Sequence, residues 1–249
     1  MAPSGATISH MPEETTTTAL PGTLAIPRGL YAITPECTGQ VLDDFAQGAI
    51  EGGAVMVQYR AKDKPVHKHM DNARRLAELC RDHGALLIVN DFCEVCLPSQ
   101  AAGVHLGKDD LPVAAARGLL GADVLIGTSA YNELDRALAL EQAGADYVAL
   151  GSFYPSPTKP QAVRATPELL QKARLVLAGP LCVIGGIGID EAGVLATLGA
   201  DLIAVSSGLL QAGKSRAAIA ATARRYVAAI TSSWDQARAT QATMKKDTP

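Results

Sequence analysis

Eight short apolar runs, each followed by a polar loop or a helical stretch, leave few folds open to this chain. The runs cover residues 30–34, 55–59, 86–90, 103–106, 124–127, 147–151, 181–185 and 202–206. Between them Ala, Leu, Glu and Arg recur at helical spacing, as in 69–83, 133–143, 167–178 and 217–230. Such alternation is the pattern of a parallel sheet built from βα units, and eight units are enough to close the sheet on itself. Gly84, Gly121, Gly144 and Gly199 each stand shortly before a strand, where a helix ends most cheaply in the left-handed conformation. The expected architecture is therefore α/β, a single (β/α)8 TIM barrel. An open doubly wound sheet would carry a Gly-rich turn after its first strand, and Thr34-Pro35-Glu36-Cys37 is not one.

Composition agrees with this reading. Hydrophobic residues make up 48% of the 249 but aromatics only 4%, so Ala, Val, Leu and Ile must fill the core, as they do in covered parallel sheets. A net charge of −3 without a long basic run gives no footprint for nucleic acid, and small molecules are the expected partners. No apolar stretch reaches the roughly 20 residues of a membrane span. Residues 1–27, rich in Thr, Pro and Ser, read as a disordered leader outside the catalytic barrel of 28–231. Residues 232–249 read as a polar C-terminal tail with a peripheral Trp234. Five cysteines, an odd number, suggest reduced thiols and a cytoplasmic setting. Cys93 and Cys96 have redox spacing but no supporting context, and read as buried helix cysteines. His67 and His69 read as ordinary exposed side chains near a helix start. The oligomeric state is not legible, and a homo-oligomer stays open.

Barrel enzymes place their chemistry on the loops after the strands, so the strand ends form the inventory. After the second run, Gln58, Arg60 and Lys62 alternate and share one side of the extended chain, a set suited to a diphosphate or to an ion-paired rim. Asn90 and Asp91 follow the third run, and His105-Leu106-Gly107-Lys108-Asp109-Asp110 belong to the fourth. Asp91 with one of Asp109 and Asp110 could hold Mg²⁺, which takes one or two carboxylates together with substrate phosphates. The same acidic pair before Pro112 also suits a helix start. Thr128 and Ser129 follow the fifth run, and a loop with Ser156, Pro157, Thr158 and Lys159 follows the sixth. Gly185-Gly186-Ile187-Gly188 and Ser206-Ser207-Gly208 close the last two units, where barrels bind phosphate through backbone N–H groups. One cationic, metal-competent end thus faces one neutral phosphate pocket. With no convincing general base, leaving-group stabilisation is the expected chemistry.

Taken in order, Gln58-Tyr59-Arg60-Ala61-Lys62, Asn90-Asp91, the run from Gly103 to Pro112, Ile126-Gly127-Thr128-Ser129, Ser156-Pro157-Thr158-Lys159-Pro160, Gly185-Gly186-Ile187 and Ser206-Ser207 closely resemble the thiamine phosphate synthase family. The resemblance runs from about Leu30 to Leu210. It implies a transferase that joins a hydroxymethylpyrimidine diphosphate to a thiazole phosphate, or its carboxylated form, with Mg²⁺ and release of pyrophosphate. Its pattern assigns Gln58, Tyr59, Arg60, Ala61, Lys62, Asn90, Ser129 and Lys159 to the pyrimidine diphosphate, with Arg60, Lys62, Ser129 and Lys159 as the catalytic group. Asp91 and Asp110 are assigned to Mg²⁺, and Ser156, Pro157, Thr158, Gly186, Ser206 and Ser207 to the thiazole phosphate. Lys108, Ser156 and Ser206 depart from the family's common Gln, Thr and Val. The retained diphosphate end argues against a regulatory paralogue that handles thiazole phosphate alone.

Overall fold

A computed structural model of the protein describes residues 24–61, 66–155 and 163–246. The first half runs β1 (Gly29–Ile33), α1 (Gln40–Glu51), β2 (Met56–Tyr59), α2 (Val66–Asp82), β3 (Leu86–Asn90), α3 (Cys93–Ser99), β4 (Gly103–Leu106) and α4 (Val113–Leu120). The second half runs β5 (Leu125–Tyr131), α5 (Leu134–Gln142), β6 (Tyr147–Gly151), α6 (Pro167–Val176), β7 (Leu181–Ile184), α7 (Ile189–Thr197), β8 (Leu202–Val205), a 3₁₀ turn at Ser207–Leu210 and α8 (Arg216–Lys246). Every strand pairs in parallel with its sequence neighbour, and β8 returns to β1, so the sheet closes as the eight-unit reading requires.

Side chains alternate across the closed sheet. One set, including Tyr31, Met56, Ile88, Leu125, Tyr147, Cys182 and Leu202, fills the barrel interior. The other set packs outward under the helices in two half-sleeves, one around α2 to α4 and the other around α5 to α8. With so few aromatics in the chain, Ala, Val, Leu and Ile fill most of that sleeve.

The helix ends repeat one device. At α5 the Gly144 N–H donates to Glu141 C=O (2.9 Å) and the Ala145 N–H to Leu140 C=O (3.1 Å), with Gly144 at φ 94°. This is the Schellman pattern, which a residue with a Cβ adopts only under strain. Gly84, Gly121 and Gly199 also have positive φ, as expected from their positions.

The floor of the barrel carries a second repeat. Asp146, just before β6, accepts the Ile126 N–H (2.7 Å) and pairs with Arg117 of α4. Asp201, just before β8, accepts the Leu181 N–H (3.0 Å) and pairs with Arg174 of α6 (3.0 Å) and Arg28 (2.9 Å). Each carboxylate thus caps the preceding odd strand and anchors the helix that leads into that strand. Asp201→Ala should cost about 2–3 kcal/mol, the range for losing hydrogen bonds to a charged group. Urea denaturation would check it, and a loss below the ~0.5 kcal/mol of an exposed pair would show that the cluster does not hold the floor.

Two parts of the sequence reading are corrected here. Residues 232–246, expected within a polar tail, continue α8, because the apolar spacing Ile219, Ala223, Tyr226, Ile230 runs on to Trp234. Trp234 is 8% exposed, and the Arg28 guanidinium stacks over its ring at 4.2 Å, so it is part of the core. His69 is 1% exposed rather than on the surface, set against Phe92 (4.6 Å between centroids) and Tyr59 (5.9 Å). Cys93 and Cys96 are buried on α3 without a disulfide, as expected, and desolvation pushes the Cys96 thiol up to about 12. Most of the leader, residues 1–23, lies outside the described residues.

Candidate active site

The mouth of the barrel is assembled from strand ends. On β2, Gln58 points inward, 4% exposed, and its Nε2 donates to Tyr31 Oη at 2.8 Å. Arg60 follows at the rim and donates to Glu36 at 2.8 Å, an ion pair with Glu36 44% exposed. Such a pair is weak in water, so an anionic ligand can take the guanidinium over at little cost. Tyr59 and Ala61 point the other way. Both belong to the outer sleeve, and Tyr59 Oη accepts from Asn72 at 3.0 Å. A role for either at the mouth is confined to backbone, as the strand's two-residue period demands. Lys62 lies outside the described residues.

After β3 and β4 the turns of the backbone fix where the two aspartates stand. Asp91 takes φ 66°, its N–H donating to His105 C=O (2.9 Å), while the Phe92 N–H returns to Asn90 C=O (2.9 Å). This tight turn sets Asp91 immediately beyond a buried Asn90. Asp110 Oδ2 accepts the Gly107 N–H at 2.7 Å, which folds the loop after β4 back on itself. Two half-buried carboxylates on neighbouring loops suit a hard cation that completes its shell with substrate oxygens. Among the described residues no cluster of three or more His, Cys, Asp or Glu could form a full protein cage.

β5 is longer than the sequence suggested, because a register shift between Ser129 and Tyr131 lets it continue past Ser129. Ser129 therefore belongs to the strand and not to a loop. Its Oγ sits 2.9 Å from His105 Nε2. Bulges of this kind re-aim side chains beside sites.

Loops 6 and 7 are interlocked. Phe153 N–H donates to Ile184 C=O (3.1 Å) and Tyr154 N–H to Gly185 C=O (2.8 Å), while Ser152 exchanges bonds with Val163 (3.1 Å) and Ala165 (3.0 Å). Gly186, at φ 64°, lies where the loops touch: a Cβ there would stand 2.3 Å from Pro155 O. Ser206 is half-buried and Ser207 exposed at the top of β8. Ser156, Pro157, Thr158 and Lys159 lie outside the described residues.

Several residues here escaped sequence reasoning. Tyr226 of α8 donates to Ile187 C=O at 2.9 Å and leaves no room for a Cβ at Gly208, so one phenol braces both loops 7 and 8. Tyr31 and Tyr147 meet inside the barrel, 6.1 Å between ring centroids, with their hydroxyls 3.0 Å apart. Their signal was available as a large polar ring at an inward strand position. Tyr147 is also the register partner of Gly127, and glycine inside a strand marks a close approach.

Comparison with known proteins agrees with this geometry. The family model described as thiamine monophosphate synthase matches residues 30–209. A thiamine-phosphate synthase from Thioalkalivibrio sulfidiphilus is 47% identical over 184 residues, covering 73% of this chain and 87% of the relative. One from Methylococcus capsulatus is 48% identical over 178 residues, 71% of this chain and 80% of the relative. Among solved structures, a thiamine phosphate pyrophosphorylase from Pyrococcus furiosus superposes with a TM-score of 0.72 at 30% identity, covering 82% of this chain and 96% of that one. The closed eight-stranded barrel, the ordered strand-end residues and these matches lead to one assignment: the chain belongs to the thiamine monophosphate synthase family.

Proposed function

We propose that this chain is a thiamine phosphate synthase, a transferase that condenses a hydroxymethylpyrimidine diphosphate with a thiazole phosphate to give thiamine phosphate and pyrophosphate. The observation that carries the reading is that Asp91 and Asp110 stand on the loops after β3 and β4, next to the end of β2 where the Arg60 guanidinium is only weakly committed to Glu36. Arg60, Lys62 and Lys159 bind the diphosphate and carry its growing charge as the C–O bond to the pyrimidine methylene breaks, the electron pair leaving with the diphosphate. Asn90 and Ser129 orient the pyrimidine. Asp91 and Asp110 would hold Mg²⁺, which when bound lowers the cost of negative charge on the departing oxygens. The methylene cation is stabilised by the aminopyrimidine, and the thiazole nitrogen's lone pair then forms the new C–N bond. Ser156, Pro157, Thr158, Gly186, Ser206 and Ser207 hold the thiazole phosphate so that this nitrogen faces the methylene. No step calls for a strong base, in keeping with the residues at the mouth.

Incubating the purified chain with both substrates and Mg²⁺, with controls omitting each, should yield thiamine phosphate and pyrophosphate in equal amounts. Absence of product with all components present would reject the reading. The five cysteines, four of them buried and none in a disulfide, support a reducing cytoplasmic setting. Among the described residues no helix is long and apolar enough to cross a membrane.

The two anion ends should respond to different changes. Gly186→Val must abandon φ 64° or press on the Pro155 carbonyl, so it should weaken thiazole phosphate binding by at least about 1–3 kcal/mol and leave the pyrimidine diphosphate nearly unaffected. Lys62→Ala should do the reverse. Titration of each substrate into each variant would check this, and equal losses for both substrates in both variants would mean that the division of the site is wrong.

A further inference from the structure

Five side chains from five strands form one hydrogen-bonded chain through the barrel interior: Gln58 Nε2 to Tyr31 Oη (2.8 Å), Tyr31 Oη to Tyr147 Oη (3.0 Å), Tyr147 Oη to His105 Nδ1 (3.0 Å), and His105 Nε2 to Ser129 Oγ (2.9 Å). Its two ends, Gln58 and Ser129, are residues of the proposed pyrimidine site, and its three middle members are buried beneath them. Counting protons fixes the direction. Tyr31 is 1% exposed and accepts from the Gln58 amide, so its single proton can be satisfied only by Tyr147. Tyr147, also 1% exposed, has then accepted from Tyr31 and must donate to His105 Nδ1. With the Gln58 amide nitrogen facing Tyr31, any other arrangement buries an O–H without an acceptor; the opposite polarity requires the amide turned over, its oxygen accepting from Tyr31. An imidazole that accepts at Nδ1 carries its proton on Nε2 and donates to Ser129 Oγ. Desolvation pushes both phenols up, so they stay O–H donors throughout the working range.

We propose that Tyr31, Tyr147 and His105 are positioning residues that set the polarity of the pyrimidine site, leaving Gln58 Oε1 as an acceptor and the Ser129 hydroxyl proton as a donor at the mouth. An acceptor and a donor held this way fit a heteroaromatic edge that offers an amino group and a ring nitrogen. The inference rests on the reading that Gln58 and Ser129 hold the pyrimidine diphosphate.

The test begins with the ligand-free, full-length protein labelled with ¹⁵N-histidine, the His105 resonances being identified by their loss in His105→Asn. The expected result is an Nε2–H tautomer. An Nδ1–H tautomer would overturn the proposal, because the chain would then run the other way. Tyr147→Phe removes the central hydroxyl while keeping the ring, and should release His105 into a mixture of tautomers. With it, KM for the pyrimidine diphosphate should rise about tenfold, the effect of one hydrogen bond, with KM for the thiazole phosphate unchanged. An unchanged tautomer, or equal changes in both KM values, would refute the positioning role. The tautomer is read without substrate, so failure of the site assignment itself would show separately, as an unchanged pyrimidine diphosphate KM in Gln58→Ala and Ser129→Ala.

Discussion

Asp91→Asn and Asp110→Asn should each lower turnover by on the order of a hundredfold while leaving the melting temperature nearly unchanged, the scale of losing one preorganised electrostatic contact in a transition state. Asparagine suits the test better than alanine. Asp91 sits at φ 66°, a conformation that Asn tolerates and Ala does not, and Asp110 accepts the Gly107 N–H, which an amide oxygen can still do. The substitutions therefore remove charge and keep shape. If the carboxylates hold Mg²⁺, the loss should grow as the metal is made limiting, since each neutral ligand weakens the site for a hard cation. Steady-state rates across a Mg²⁺ titration would measure this, and near-normal activity at limiting metal would take that residue out of the metal site.

Gly127→Ala should be the most destabilising small change in the barrel. A Cβ there would lie 1.9 Å from Tyr147 Cζ and 2.2 Å from its Cε1, in hard clash with the edge of the ring. Tyr147 cannot retreat freely, because its hydroxyl is bonded to both Tyr31 and His105. Overpacking of a closed core costs typically about 1–3 kcal/mol, and here it also breaks two buried hydrogen bonds, so about 3 kcal/mol or more is expected. In a chain of this size that corresponds to a fall in Tm of roughly 6–12 °C. The cause can be isolated with a second change. Tyr147→Leu shortens the side chain that the new methyl meets, so the double variant should be more stable than the sum of the two single effects predicts. A Gly127→Ala protein that melts within a degree or two of the parent would mean that β5 and β6 can part more easily than their register implies.

The sequence carried most of the fold because the barrel is written in local periodicities. Eight apolar runs of strand length, separated by helical spacing and closed by glycine at positive φ, need no long-range information to be read. The same reasoning failed where a period was interrupted or continued unseen. β5 was cut short at Gly127 because a bulge past Ser129 has no compositional signature. α8 was ended too soon, although Trp234 stands four residues after Ile230 on the apolar stripe, because the polar composition around it outweighed one residue.

For the site, the sequence by itself determined which side chains stand at strand ends, since a parallel barrel sends every strand end to one face. Gln58 and Arg60, Asn90 and Asp91, Asp110, Ser129, Gly186 and the Ser206-Ser207 pair all follow from that rule. Only the tertiary structure decided how they are held. Arg60 is shared with Glu36, Tyr59 faces the sleeve while its neighbour Gln58 faces the interior, Tyr226 braces loops 7 and 8, and Tyr31, Tyr147 and His105 link the two sides of the mouth. These are contacts between residues 24 to 116 positions apart, as in the Arg60–Glu36 and Tyr31–Tyr147 pairs. Periodicity records which way a side chain points, but not which distant side chain it meets, because that depends on how the sheet closes and on the packing of its interior.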